Sequence, residues 1–64
     1  MDMNTVTAEY LDGIREGRAT FKREGSDNAS IHLNNLNLTI VGFAASSPVG
    51  QFLRGERDFW RNKV

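Results

Sequence analysis

The chain has no cysteine, one proline and one histidine among its 64 residues. Without cysteine there is neither a disulfide framework nor a thiolate-bound zinc to hold a fold together. No apolar run approaches the roughly 18 residues of a membrane span, and no charged-then-apolar leader opens the sequence. Neither a span nor a secretory signal is therefore expected. An excess of either charge is missing too, since eight Lys and Arg balance eight Asp and Glu. That removes the strongly basic footprint from which nucleic-acid binders draw most of their affinity. The balance is mildly polarised: Met1 to Ser30 carries four basic and six acidic residues (−2), and Ile31 onwards four basic and two acidic (+2).

Catalytic chemistry is equally scarce. His32 is the lone histidine and sits in an asparagine-rich stretch, where a surface or packing role is the ordinary one. No serine stands in a nucleophile elbow, and there is no H-E-x-x-H zinc motif, D-x-D calcium loop or glycine-rich phosphate loop. The expectation is no enzyme, with no catalytic residue, no metal ligand and no cofactor.

What the chain does have is apolar content. Leu, Ile, Val and Phe make up 16 of the 64 residues, above the level of an intrinsically disordered chain. Residues 1–64 make one small globular domain with no room for a second. A domain this short buries only about 60% of its unfolded surface, while ordering it costs on the order of 100 kcal/mol of conformational entropy. Tight helical packing or self-association must offset this, and a homodimer is expected.

Three helices are readable. Met1 to Val6 reads as a short arm. Thr7 suits an N-cap, Glu9 and Asp12 suit the positive first turn, and Lys22 and Arg23 suit the last turn before a Gly25 stop. Tyr10, Ile14 and Phe21 share one face of this helix with Gly13 and Gly17 between them. Two glycines four apart let a second backbone come close; the alternative is that they only weaken the helix.

Ser26-Asp27-Asn28 is turn and cap chemistry. From Ala29 to Phe43 two patterns compete. At helical spacing Ala29, Leu33, Leu36, Ile40 and Phe43 form one stripe, whereas at period two Ile31/Leu33 and Leu36/Leu38/Ile40 alternate around an Asn34-Asn35 hairpin turn. The helix is favoured as the longer pattern. It leaves Ile31 and Leu38, with Val41 beside them, on the opposite face, a strip that only a partner chain can cover.

Ser47-Pro48 is an N-cap followed by proline at the first helical position, opening a helix towards Lys63. Val49, Phe52, Leu53, Phe59, Trp60 and Val64 take one broad side, and Arg54, Arg57, Asp58 and Arg61 the other. Arg54, Arg57 and Arg61 form a column at spacings of three and four, with Asp58 placed to hold it as an ion network. Guanidinium groups suit carboxylates and phosphates alike, so the column fits a solvated face, an acidic protein surface or nucleic acid. Glu56 and Lys63 fall inside the apolar arc. A desolvated Glu56 should meet Arg15, Arg18, Lys63 or a backbone cap, and can fix register at a dimer interface. On that footing, charge reversal at Glu56 should cost far more stability than reversal at Asp58.

The stretches TIVGFAASSPVGQFLRGERDFWRNK (Thr39–Lys63) and EYLDGIREGRATFK (Glu9–Lys22) resemble small accessory proteins of tailed, mostly temperate, bacteriophages. The resemblance implies an early phage product in the cytoplasm of an infected bacterium that binds and inhibits a host protein, such as CRISPR, restriction or nuclease defence machinery. It also favours a helical middle segment.

The expected fold is all-α, a compact three-helix protein, with helix–β-hairpin–helix as the α+β alternative. The expected function is protein–protein contact. Arg54, Arg57, Arg61 and a partly exposed Trp60 would meet the host partner, and Ile31, Leu38 and Glu56 would lie at the dimer or partner interface. A small DNA-binding regulator using the third helix is the alternative, and a virion component a more distant one.

Overall fold

A computed structural model describes residues 7–64; the arm expected at Met1 to Val6 lies outside them. The element order is α1 (Ala8–Glu24), α2 (Ala29–Ile40) and α3 (Pro48–Arg61), with no strand among the described residues. The all-α expectation holds, and the hairpin alternative for residues 29–43 does not.

The helix ends are set by the residues that the sequence offers for them. The Thr7 hydroxyl accepts the Tyr10 amide at 3.1 Å, satisfying one of the free donors of the first turn. Gly25 closes α1 at φ 76°, where a side chain is disfavoured, and its amide returns to the Phe21 carbonyl at 2.7 Å. Ser47 caps α3 by accepting the Gly50 amide at 3.0 Å, ahead of Pro48. Asn28 at the start of α2 makes no side-chain cap bond. That helix is held by packing instead.

α3 is the central element: it packs against α1 and against α2, and α1 and α2 do not pack on each other along their lengths. The pairings give the directions. Thr7 reaches Gln51, Tyr10 reaches Asp58 and Phe21 meets Trp60, so α1 and α3 run parallel. His32, at the start of α2, stacks on Trp60 near the end of α3, so α2 runs the other way.

The parallel pair is close because glycines face each other across it. A Cβ on Gly13 would overlap the Phe52 carbonyl oxygen and stand 2.9 Å from the Glu56 nitrogen. A Cβ on Gly55 would overlap the Tyr10 carbonyl oxygen and stand 3.1 Å from the Ile14 nitrogen. Gly17 leaves room for the Phe59 ring, which lies 2.9 Å from where its Cβ would be. The close backbone approach expected at Gly13 and Gly17 is found at Gly13, with Gly55 its counterpart on α3, whereas Gly17 admits a side chain, the Phe59 ring.

Trp60 is the hub. It is 1% exposed, makes edge contacts with Phe21 and Phe59, and carries His32 stacked on it at 4.5 Å and 21°. With Ala29 and Ile40 it makes up the buried hydrophobic residues among those described. Trp60 could meet a partner only if partly exposed, and at 1% exposure it is not; its place on the apolar side of α3 puts it in the core. An indole surrounded by rings from both neighbouring helices is worth more buried than displayed.

Candidate functional site

No helix among the described residues is long and apolar enough to cross a membrane. Two surfaces remain for recognition.

The first is the outer face of α2. Because α2 is a helix, Ala29, Leu33, Leu36 and Ile40 turn inward, with Ala29 and Ile40 buried. Ile31 at 60%, Leu38 at 68% and Val41 at 79% exposure are left in water. Phe43, expected as the last residue of the inward stripe, lies past the end of α2 and is exposed. Glu56 does not join this strip. It lies close to Glu16 of α1 and His32 of α2, in keeping with its position inside the apolar arc of α3.

The partner expected for Glu56 is missing as well. Among the described residues it makes no ion pair. Burial, and then the neighbouring Glu16 charge, push its carboxyl above the usual range, with His32 pulling the other way. Arg15 pairs with Asp12 at 3.3 Å instead, and Lys63 lies over the Phe21 ring at 4.7 Å and the Phe59 ring at 5.2 Å. Lys63 thus sits in the apolar arc by cation–π contact rather than as a counter-ion.

The second surface is built around Asp58. Its carboxylate accepts the Tyr10 hydroxyl and the Arg57 Nε at 3.1 Å, with Arg57 Nη2 at 3.0 Å and Arg61 Nη1 at 3.8 Å. Burial raises the Asp58 carboxyl, but the hydrogen bonds from Tyr10 and Arg57 and the two guanidinium charges outweigh it and hold it below its usual value. The same hydrogen bond, then burial and the Asp58 charge, raise the Tyr10 phenol. The arginine column is therefore not uniform. Arg57 is largely covered and committed to Asp58, Arg61 is exposed, and Arg54 has a buried Nε with no hydrogen-bond partner among the described residues. Asp58 holds Arg57 and Arg61 as expected, and Arg54 stands outside the network.

Beside Asp58 an open groove of about 300 Å³ runs between α1 and α3. Tyr10, Ile14 and Arg18 line it from α1, and Asp58, Phe59, Asn62 and Lys63 from the end of α3. The sequence reading had Tyr10, Ile14 and Phe59 only as core positions. The groove was hidden in it because periodicity gives the face of each helix but not which faces flank a gap.

Comparison of the chain with protein-family models, with curated proteins and with solved structures returns no match. The geometry and the chemistry of the two surfaces are what bear on function.

Proposed function

We propose that this protein is a phage-encoded, non-enzymatic binder that docks on a host bacterial protein in the cytoplasm of the infected cell and inhibits or modulates it. Defence machinery (CRISPR, restriction or nuclease) is the target class. The observation that carries the reading as a protein that works by contact with other polypeptides is the α2 strip of Ile31, Leu38 and Val41, apolar and open to water. Branched aliphatic side chains repeating along one helix face lose water favourably only when another polypeptide covers them. A second copy of the chain covers this strip, with Asn34 and Asn35 between the apolar residues fixing the register. The arginine edge then remains for the host protein. The resemblance of Glu9–Lys22 and Thr39–Lys63 to phage accessory proteins supports the setting.

Light scattering on the purified protein should give twice the 7.2 kDa chain mass. The double variant Ile31→Glu/Leu38→Glu should give a folded monomer, because glutamates would face each other across the pair. A wild type that stays monomeric at high concentration removes the dimer. For the host contact, tagged wild type should retain one protein from nuclease-treated bacterial lysate, and Arg54→Glu/Arg61→Glu should lose it. Retention that disappears on nuclease treatment would favour the DNA-binding regulator instead.

A further inference from the structure

The groove between α1 and the end of α3 has a charge that the neutral chain as a whole conceals. At about 100° per residue, Glu9, Glu16 and Glu24 fall along one edge of α1, and Arg15, Arg18 and Lys22 along the opposite edge. The acidic edge is the one turned towards α2 and the inner side of α3, since Glu24 meets His32 at 3.1 Å and Glu16 lies near Glu56. Of the basic edge, Arg18 lines the groove, together with Lys63 and the apolar side chains of Ile14 and Phe59. Among the described residues neither Arg18 nor Lys63 takes an ion pair. The carboxylate in the wall, Asp58, is already occupied by Tyr10, Arg57 and Arg61, so its charge does not oppose an incoming anion as a bare one would.

From this juxtaposition we infer that the groove binds an acidic peptide segment of a partner protein. One or two carboxylates of the segment pair with Arg18 and Lys63, and an adjacent apolar side chain rests on Ile14 and Phe59. The small number of cations is what favours a peptide over nucleic acid: tight phosphate binding needs a longer row of cations than two. The inference deepens the proposed function by naming the chemistry of the partner, and rests on it for the statement that the partner is a protein.

Fluorescence anisotropy at low salt tests it with three labelled probes: a short peptide alternating Glu with Phe, its Gln/Phe counterpart, and a single-stranded oligonucleotide of equal charge. The Glu/Phe peptide should bind saturably, weaken with salt, and shift the amide NMR signals of Ile14, Phe59 and Asn62. Arg18→Glu/Lys63→Glu should lower its affinity by roughly tenfold or more, whereas Arg15→Glu, whose side chain does not line the groove, should lower it far less. Three results overturn the inference: equal binding of the Gln/Phe peptide, tighter binding of the oligonucleotide, or equal loss in Arg15→Glu. Folding of the groove variants is checked by the same amide spectra. If peptide binding fails while capture of a host protein from nuclease-treated lysate persists, the groove is wrong and the proposed function stands. Loss of both would remove the proposed function itself.

Discussion

Gly55→Ala should destabilise the protein by about 3 kcal/mol, although alanine is the better helix former by roughly 1 kcal/mol at an open position. The reason is what the added methyl meets. At Gly55 it would overlap the Tyr10 carbonyl oxygen, and at Gly13 the Phe52 carbonyl oxygen. Backbone in a regular helix cannot rotate aside as a side-chain tip can, so the two parallel helices must separate. Separation would also pull Phe59 from Gly17 and loosen the Phe21 and Trp60 edge contacts. For a domain of this length total stability is on the order of 3–10 kcal/mol, so the loss is a large part of it. Gly42→Ala is the control. Its Cβ would approach only the Thr39 carbonyl oxygen, at an ordinary 3.5 Å, and its melting temperature should stay within a few degrees of wild type. Thermal and urea unfolding followed by circular dichroism measures both. Equal stability of Gly55→Ala and wild type would mean that the α1–α3 crossing is looser than described.

The helix boundaries were the legible part of this sequence because they are written in local chemistry. Thr7, Gly25 and Ser47-Pro48 act on backbone groups within a few residues of themselves, and each does what its type requires. The inward stripe of α2 was legible for a related reason: Ala29, Leu33, Leu36 and Ile40 share a face whatever lies opposite. Partner choice is a different kind of information. Gly55 sits in the charged run Arg54 to Asp58, and nothing in its neighbours shows that Tyr10, far away in the chain, supplies the backbone that needs the space. Trp60 follows the same rule. Its place on the apolar side of α3 was readable, but that Phe21 from α1 and His32 from α2 close over it was not. Of the arginine column, the spacing with Asp58 was readable; the covering of Arg57 and the isolation of Arg54 depend on neighbours from other elements.

Removing the carboxylate charge should separate Asp58 from Glu56 in the order opposite to the one that burial pattern alone suggests. Asp58→Lys removes the acceptor for Tyr10 and Arg57 and sets a third cation beside Arg57 and Arg61. Charged hydrogen bonds of this kind, partly open to water, point to a loss of about 2 kcal/mol. Among the described residues Glu56 has no counter-ion to lose, and it stands near Glu16, so Glu56→Gln should instead stabilise the protein near pH 7, by about 0.5 kcal/mol as for other like-charge pairs. The pH dependences have opposite signs. The Glu56 carboxyl is raised in the folded state by burial and by Glu16, so the folded protein takes up its proton first. Stability from this group therefore increases as pH falls through the raised value towards that of an ordinary glutamate. The Asp58 carboxyl is lowered, so its contribution is complete above the ordinary aspartate range and is lost as pH falls through the lower folded value. Melting curves from pH 8 to pH 3, taken as differences between wild type and each variant, isolate the two groups. The Glu56→Gln difference should shrink as pH falls below neutrality, and the Asp58→Asn difference should persist until strongly acid conditions. A Glu56→Gln protein less stable than wild type at pH 7 would mean that Glu56 has a cationic partner after all.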